Sequence, residues 1–475
     1  MVPERQARIR SSEQARIYGF CLLIAVTLIS GCGGRGTSTP ALSPLPAPVT
    51  SALEVTPSSA AVRVNAPVQF SANAQVTWSV QEGAAGGTIG SGGTYTAPQI
   101  PGLYHVIATA VADGSKAATA SVLVNASGFT RAGNLGDARL AHTATTLQDG
   151  RVLVVGGGWG PDLIDGLFVV SAAELFDPRT AAFTSAGTSS RDSHTATLLP
   201  SGQVLLAGGE SSPCPPCNTT ASAQLYDPNS GRFQPTGSMS VERESHTATL
   251  LKDGRVLILG GLRTADGGFH WETLRTAEIY DPATGTFSAS GSMNEARVFH
   301  AATLLADGRA LITGGLSNKS AEIYDPGTGS FKSAGAMMRG RYWHTATLLP
   351  DGRVLLTGGL RDATAEVYDP VTASFTPTGS MLVPRALHSA TLLPNGGVLI
   401  AGGNGFADTP AGGATATAEV YDPQKGSFIR TADLAQARFW HTATLLPDLR
   451  VLLVGGADSS DGLRITPLNS AEIYN

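Results

Sequence analysis

The stretch RYWHTATLLPDGRVLLTGG, residues 341–359, is one copy of a pattern that occurs seven times in the 475-residue chain. In each copy an arginine precedes a histidine by three positions, and a Thr/Ala/Leu run, a turn, an apolar run and a glycine pair follow. A catalytic residue normally occurs once, so residues that recur in every copy are predicted to be structural. These framework residues are Arg139, His142, Arg191, His194, Arg243, His246, Arg297, His300, Arg341, His344, Arg385, His388, Arg438 and His441.

Each copy predicts four β-strands. Residues 344–349 and 353–359 flank Asp351-Gly352, a dipeptide typical of a tight hairpin. A third strand is predicted at an Ala-Glu-apolar-Tyr-Asp-Pro marker such as residues 365–370, and the next turn leads into a fourth strand that contains Phe375. The first two strands are apolar on both faces, as expected for strands buried between neighbouring sheets.

This succession of an apolar run, two glycines, a tyrosine and a final aromatic residue resembles the kelch repeat, with Phe at the position where that repeat usually has Trp. The resemblance covers residues 129–475 and implies a β-propeller with one four-stranded blade per repeat. The region opens at Phe129 with a fourth-strand pattern and ends at Tyr474 with a third-strand pattern. We therefore predict an all-β chain whose residues 128–475 form a seven-bladed kelch-type propeller, closed by the N-terminal strand.

The N-terminus is predicted to be a targeting segment. Four arginines precede the apolar run GFCLLIAVTLIS at residues 19–30, which is too short to span a bilayer. The following LISGC motif resembles the lipobox of bacterial lipoproteins, with Ile29 where Leu is usual, and implies a lipid on Cys32. An ordinary cleaved signal is the alternative. Residues 1–31 are thus expected to be a signal peptide, and the Pro/Ser/Thr-rich residues 32–52 a tether. The expected location is the outer membrane or cell surface of a bacterium, to which the exported chain is anchored by its lipid.

A separate small domain is predicted at residues 53–127. Short runs that alternate apolar and polar residues are separated by turn signals, which indicates an antiparallel sandwich with Trp78 in its core. The sequence resembles bacterial Ig-like domains, which implies a spacer without a ligand. His105 is interpreted as a strand residue with its hydrogen bonds satisfied.

The charge and the cysteine content of the chain argue against nucleic-acid binding, a zinc site and a thioredoxin-like role. The net charge is −5 and no basic block is present, which argues against nucleic-acid binding. Besides Cys21 and Cys32, the chain has only Cys214 and Cys217, and in an exported protein a local disulfide between them is expected. A zinc site would need two further ligands, and a thioredoxin-like role would need a helix after the motif.

The framework arginines are predicted to form buried ion pairs. Six copies of the third-strand marker carry Glu, and the seventh carries Gln224. The number of these glutamates is therefore close to the number of framework arginines, which is seven. We expect each arginine to pair with a glutamate of its own or an adjacent blade, and each histidine to bond backbone or hydroxyl groups. The alternative is that some arginines line the channel mouth and bind an anion.

Aromatic residues are concentrated in the variable parts of the repeats. The connections between the second and third strands differ most in length among the repeats. We expect them to lie on the same face of the propeller as the segments that precede the first strands. Packing between blades is the alternative for Trp343 and Trp440. The predicted ligand-binding residues are Trp159, His270, Trp271, Tyr342, Trp343, Phe439 and Trp440.

These features favour a binding protein over an enzyme. The predicted ligand is an extracellular glycan or protein, and the chain is expected to be a monomer without catalytic residues, metal or cofactor. Galactose oxidase and its relatives also combine a kelch-type propeller with an Ig-like domain, so a copper-radical oxidase is the alternative. Their copper is held by two tyrosines and two histidines, with one tyrosine cross-linked to a cysteine. In the propeller region no tyrosine directly precedes a framework histidine, and the only propeller cysteines are Cys214 and Cys217.

Overall fold

The structure is a computed structural model that describes residues 52–125, 128–159, 168–210, 218–265, 270–316, 318–359, 362–405, 413–459 and 465–475. Within these ranges the chain is almost entirely β-structure, and one short 3-10 helix at Gly83–Gly86 is the only helical element. The prediction of an all-β protein built from four-stranded sheets is confirmed. Among the described residues, no helix has the length and apolar character needed to cross a bilayer.

Seven four-stranded antiparallel sheets, here called sheets 1 to 7, follow one another from residue 129 onward. Each has the same order of strands, from the innermost first strand to the outermost fourth. The strands, in that order, are Thr143–Thr146, Val152–Val155, Ala172–Asp177 and Ala182–Thr188 in sheet 1; Thr195–Leu198, Val204–Ala207, Ala223–Asp227 and Arg232–Pro235 in sheet 2; Thr247–Leu250, Val256–Leu259, Thr276–Asp281 and Thr286–Ser292 in sheet 3; Ala301–Leu304, Ala310–Thr313, Ser320–Asp325 and Ser330–Ala336 in sheet 4; Thr345–Leu348, Val354–Thr357, Ala365–Asp369 and Ser374–Pro377 in sheet 5; Ser389–Leu392, Val398–Ala401, Ala418–Asp422 and Ser427–Arg430 in sheet 6; and Thr442–Leu445, Val451–Val454, Ser470–Tyr474 and Phe129–Asn134 in sheet 7.

The sheets form a closed ring. The first strand of every sheet lies against the first strands of the two neighbouring sheets, and sheet 7 lies against sheet 1. The second strands are buried along their whole length, and their aliphatic side chains fill the spaces between consecutive sheets. This radial arrangement around a central axis is that of a β-propeller.

The ring is closed by strands that are far apart in the sequence. Phe129–Asn134 pairs antiparallel with Ser470–Tyr474 and supplies the outer strand of sheet 7. The ring centroids of Phe129 and Tyr474 are 5.0 Å apart. The other six sheets pair an aromatic residue of the third strand with a phenylalanine of the fourth at 4.8–5.0 Å. The sheet formed by the two distant segments therefore has the same internal packing as the sheets made from continuous chain.

Four small hairpins extend the connections between the second and third strands. Their paired strands are Gly158–Trp159 with Phe168–Val169 in sheet 1, Leu262–Ala265 with His270–Thr273 in sheet 3, Asn404–Gly405 with Gly413–Ala414 in sheet 6, and Ala457–Asp458 with Thr466–Pro467 in sheet 7.

The N-terminal region folds as a β-sandwich. One sheet has the order Ser59–Arg63, Ala117–Asn125, Gly102–Ala110 and Val76–Val80; the others pair Pro67–Gln69, Thr94–Thr96 and Thr88–Ile89, and Val55–Thr56 with Ser71–Ala72. The expectation of a wholly antiparallel sandwich was wrong, because Ser59–Arg63 runs parallel to Ala117–Asn125. Strands that start from the same end of a sandwich can pair this way because a crossover connection joins them. Trp78 packs on Phe70 in the core, with their ring centroids 6.5 Å apart.

The sandwich packs against sheets 6 and 7 of the ring. Leu103 and Leu123 of the sandwich belong to one apolar cluster with Leu399 and Leu453 of the ring. Beside this cluster the buried His105 lies 2.7 Å from Glu82 of its own domain and 3.3 Å from Asp422 of sheet 6. Ser121 donates a hydrogen bond to the same Asp422 carboxylate. His105 is therefore a strand residue with both ring nitrogens hydrogen-bonded, and it also bridges the two domains.

The bridge makes the stability of the domain contact depend on pH. Burial acts to lower the pKa of His105, but hydrogen bonds and charges of Asp422 and Glu82 outweigh it and raise the pKa above 6.5. A group with a raised pKa in the folded state contributes stability below its unfolded pKa, and this contribution is lost as the pH rises through the folded value.

We expect His105→Gln to lower the free energy of unfolding by about 1–3 kcal/mol at about pH 5.5, because a charge-assisted bridge is removed. The difference between the variant and the wild type should shrink as the pH is raised to about 8.5. Thermal unfolding followed by calorimetry across this range measures it, with the exposed His270→Gln as the control. A difference that stays constant with pH would show that His105 contributes only by packing.

Candidate binding site at the mouth of the central channel

Each framework arginine is buried and bonded within its own sheet. Arg341 donates from Nη2 to the carboxylate of Glu366 on the third strand at 2.8 Å. Nη1 of the same arginine donates to the carbonyl oxygens of Gly358 and Thr364, at 2.6 and 3.0 Å. Six sheets contain this ion pair, at 2.7–2.9 Å: Arg139–Glu174, Arg243–Glu278, Arg297–Glu322, Arg341–Glu366, Arg385–Glu419 and Arg438–Glu472.

The glutamate of each pair also binds the chain that leaves the preceding sheet. Glu366 accepts a hydrogen bond of 2.7 Å from the backbone N–H of Met338, three residues before Arg341. The backbone N–H three residues before the arginine plays the same part in the other five sheets. The arginines are thus fully committed inside the ring, and the alternative in which they bind an anion at the channel mouth has no support in their positions.

Sheet 2 lacks the glutamate and compensates locally. Arg191 donates to the carbonyl oxygens of Gly208 and Ser222 at 2.8 and 2.9 Å, and to the Ser222 hydroxyl at 2.7 Å. Gln224, at the position of the glutamate, accepts a hydrogen bond from the hydroxyl of Ser189. Burial without a carboxylate lowers the pKa of Arg191 to about 10.

Each framework histidine links its sheet to the one before it. Nε2 of His194 lies 2.9 Å from the hydroxyl of Thr143, and Nε2 of His246 lies 3.0 Å from Thr195. Sheet 4 has Ala301 where these sheets have threonine, and His344 bonds the hydroxyl of Thr313 on the second strand instead. Burial, followed by the charge of the nearby arginine, lowers the histidine pKa values, to about 3 for His194. The framework histidines are therefore neutral hydrogen-bonding groups.

The glycine pair completes the contact between sheets. The N–H of the second glycine donates to the carbonyl of the next sheet's arginine, and the bond from Gly456 to Arg139, at 2.9 Å, closes the ring. The first glycine has no room for a side chain: a Cβ on Gly156 would lie 2.0 Å from the carbonyl oxygen of Arg191 and 3.0 Å from the ring of His194. Its φ of 65° also favours glycine. The repeated motif thus joins each of the seven sheets to its neighbours.

The residue directly before each histidine faces the central axis. All seven have a left-handed backbone, with φ between 49° and 56°. In six of them the N–H donates to the carbonyl oxygen of the same position in the preceding sheet. Together with their neighbours they enclose a cavity of about 310 Å³, here called the axial cavity, which is lined by Leu140, Ala141, His142, Ser193, His194, Ser245, His246, Phe299, Trp343, Leu387, Trp440 and His441.

The axial cavity has two unlike walls. Sheets 1 to 3 contribute small side chains, those of Ala141, Ser193 and Ser245. Sheets 4 to 7 contribute a continuous apolar wall, formed by Phe299, Trp343, Leu387 and Trp440.

The two tryptophans of the apolar wall contact each other edge to face. The ring centroids of Trp343 and Trp440 are 6.1 Å apart, and Phe299 stacks on Trp343 at 4.8 Å. Both indoles are half-buried, so each presents part of its ring to the cavity.

The structure brings together four of the residues predicted to bind a ligand. Tyr342 and Phe439 are buried behind Trp343 and Trp440 and support them, with ring centroids 5.1 and 5.4 Å away. Trp271 and His270 lie on the hairpin of sheet 3 and do not line the axial cavity. The backbone of Trp159 is in the hairpin of sheet 1. The side chain of Trp159, together with Cys32, Cys214 and Cys217, lies outside the described residues.

A cluster of buried acids beside the axial cavity was missed by the sequence reasoning. Asp192, Glu210 and Glu244 each place a carboxylate oxygen within 4.8 Å of the others. Burial raises the pKa values of all three, and neighbouring acids raise those of Asp192 and Glu244 further. The available signal was positional: Asp192 and Glu244 follow a framework arginine, where the other five copies have an apolar residue.

Comparisons with known proteins agree with this architecture. Over 100 residues, 21% of the chain, the sequence is 32% identical to the kelch-like protein terF of Aspergillus terreus (strain NIH 2624 / FGSC A1156). The match spans only 21% of that protein. A solved fungal alcohol oxidase of the AA5 family, in complex with copper, superposes with a TM-score of 0.57 at 17% identity, covering 74% of this chain and 76% of that one.

The fold is a β-propeller similar to that of the AA5 oxidase, and part of the sequence is similar to a kelch-like protein. The solved structure of YjhT is a further neighbour, with a TM-score of 0.48 at 15% identity over 60% of this chain and 97% of that one. A comparison with known protein families finds no match for the chain.

The residues present do not fit the copper centre expected for the oxidase alternative. Copper needs nitrogen, oxygen or sulfur donors that converge on one point. Among the described residues that line the axial cavity there is no tyrosine or cysteine, and the framework histidines direct Nε2 to hydroxyl groups. In the described part of the chain, the one convergent group of three His, Cys, Asp or Glu side chains contains only carboxylates.

Glu366→Ala should lower the free energy of unfolding by about 3–5 kcal/mol, because it leaves the buried Arg341 without its counter-charge. Gln224→Ala should cost only about 0.5–1.5 kcal/mol, because Arg191 is already satisfied without a carboxylate. Urea unfolding measures both, with the exposed Glu295→Gln as a neutral control. Equal costs for Glu366→Ala and Gln224→Ala would contradict the assigned role of the ion pair.

Proposed function

We propose that the chain is an exported, lipid-anchored binding protein that recognises an extracellular glycan in the axial cavity. In this proposal a seven-bladed kelch propeller carries the site, an Ig-like sandwich and the tether at residues 32–52 act as spacers, and the lipid is attached to Cys32. A bacterial outer membrane or cell surface is the proposed location. The observation that carries the proposal is the apolar wall of sheets 4 to 7, with three aromatic side chains and Leu387, opposite the small side chains of Ala141, Ser193 and Ser245 in sheets 1 to 3.

The chemistry of the two walls suits an uncharged sugar. Indole faces stack on the apolar C–H face of a sugar ring, and serine hydroxyls exchange hydrogen bonds with its hydroxyls. Ser193 and Ser245 supply such hydroxyls. The histidines of the lining are neutral and the arginines are bonded inside the sheets, so no formal charge on the lining favours an anion. A volume of about 310 Å³ also matches a small ligand or the end of a chain.

The rigidity of the ring supports tight recognition with little motion. The backbone at each lining position is held in a left-handed conformation by its neighbour in the adjacent sheet. A preformed site loses little conformational entropy when the ligand binds. At these positions the side chains that would contact the ligand differ from sheet to sheet, whereas the backbone conformation stays the same.

Two other functions remain as candidates. A protein ligand that inserts one side chain into the axial cavity would use the same apolar wall. A copper-radical oxidase resembling galactose oxidase is favoured only by the likeness in fold, and the site residues described above do not supply its ligands.

Trp343→Ala and Trp440→Ala should each weaken glycan binding by about 2 kcal/mol, roughly thirtyfold, because half of the apolar wall is lost. Alanine is compatible with the backbone there, since Ala141 has the same left-handed conformation in sheet 1. The assay is an oligosaccharide array followed by calorimetric titration of the hits, with Trp271→Ala as the aromatic control outside the cavity. Binding lost equally in Trp271→Ala would move the site to the hairpins, and no binding to any glycan would leave the protein ligand.

A further inference from the structure

The acids Asp192, Glu210 and Glu244 join two neighbouring sheets below the small side chains that line the axial cavity. Asp192 and Glu210 face each other across two backbone hydrogen bonds of 3.0 and 3.1 Å at the end of sheet 2. Glu244 comes from the equivalent position of sheet 3 and reaches across to Glu210, with which it shares a side-chain hydrogen bond. Asp192 and Glu244 directly precede Ser193 and Ser245, which line the cavity.

The acids depart from a pattern that the rest of the ring follows. The residue after the framework arginine is otherwise apolar and packs inside the ring: Leu140, Val298, Tyr342, Ala386 and Phe439. Five sheets therefore form with an apolar residue directly after the framework arginine, and a carboxylate is not needed there for the sheet to pack. Two adjacent sheets replace it with acids, and sheet 2 adds a third acid directly after its glycine pair. Folding of the ring does not require this concentration of carboxylates.

The carboxylates lack the positive partners that buried charges need, although the Ser193 hydroxyl donates a hydrogen bond to Asp192. Asp192, Glu210 and Glu244 are only 4%, 6% and 1% exposed. Oε2 of Glu244 has no hydrogen-bonding partner. Within the described ranges, no arginine, lysine or histidine lies at ion-pair distance from the three. The adjacent Arg243 is bonded to Glu278. A buried, unpaired carboxylate costs several kcal/mol, so a positive charge at this point would be strongly favourable.

We propose that Asp192, Glu210 and Glu244 bind one divalent cation of the size of calcium. The donor set is all oxygen and strongly anionic, which hard cations prefer. Calcium–oxygen distances of about 2.3–2.6 Å allow ligand atoms on opposite sides of the ion to lie up to about 5 Å apart, which accommodates donors within 4.8 Å of one another. Magnesium, with distances of about 2.1 Å, requires a closer approach of the same oxygens.

The cation has a mechanical role in this arrangement. It links the segment of sheet 2 to that of sheet 3 at the level of the axial cavity, and so orders the backbone that carries Ser193 and Ser245. This inference does not depend on the proposed glycan, because cation binding is measured without any ligand in the axial cavity.

The test uses full-length protein treated with a chelator and then titrated calorimetrically with Ca²⁺, Mg²⁺, Mn²⁺ and Zn²⁺ in separate runs, with the melting temperature recorded in parallel. The expected result is one Ca²⁺ per chain, a higher melting temperature with Ca²⁺, and weaker effects of Mg²⁺ and Zn²⁺. Glu244→Val, which introduces the residue that sheet 4 has at Val298, should lose the binding heat and the rise in melting temperature. Glu244→Gln retains the volume and should lose at least about 90% of the affinity, because one anionic ligand is removed. The exposed Glu295→Gln should bind Ca²⁺ like the wild type.

Two results would overturn the inference. The first is a wild-type protein whose melting temperature and heats are unchanged by all four cations while Glu244→Val melts higher, which would show that the carboxylates are simply protonated. The second is binding that survives undiminished in a folded Glu244→Gln variant, which would place the ion elsewhere.

Discussion

The structure depends on a guanidinium group that is buried seven times, and each time its Nη groups are hydrogen-bonded inside the ring. An isolated buried arginine is so unfavourable that its position is fixed by the groups able to bond it. Here the guanidinium donates to the glycine pair after the second strand and to the third strand with its glutamate, and that glutamate accepts an N–H from the chain arriving from the preceding sheet. One ion pair thus sets the relative positions of three segments that are far apart along the repeat.

The constancy of this frame is what permits variation at the axis. The framework arginine and histidine are hydrogen-bonded in every sheet. The residue directly before the histidine, which lines the cavity, can therefore change without disturbing the ring. Ala141 and Trp343 have the same backbone conformation although their side chains differ greatly in size. The result is a cavity whose two walls differ in chemistry although the backbone around them is nearly symmetric. In such a fold, functional information lies in the departures from the repeat.

Sequence reasoning succeeded where the determinants are local or repeated. The strands and hairpins follow from the Asp-Gly turns and the apolar runs. The six glutamates beside seven arginines indicate that the arginines have acidic partners, but they left open whether each partner lies in the same sheet or in an adjacent one. It failed where two remote segments create a contact. The 317 positions between His105 and Asp422 hide the bridge between the domains. Asp192 and Glu244 were noticed only as variable positions, because their convergence on Glu210 depends on the angle between two sheets. The prediction of a wholly antiparallel sandwich was wrong for the same reason, since Ser59–Arg63 pairs with the remote strand Ala117–Asn125.

The pairing of Phe129–Asn134 with Ser470–Tyr474 also governs the order of events during biosynthesis. As the chain emerges from the ribosome, the first strand of the propeller region has no partner until the last strand of the ring has been made. Sheets 1 to 6 can form one by one from neighbouring sequence, whereas sheet 7 is the single step that needs a contact across the whole region. Until that step the nascent ring is an open arc with an unpaired edge at each end. After closure neither end of the propeller region is a free edge, because both ends are held in sheet 7 by pairing with each other.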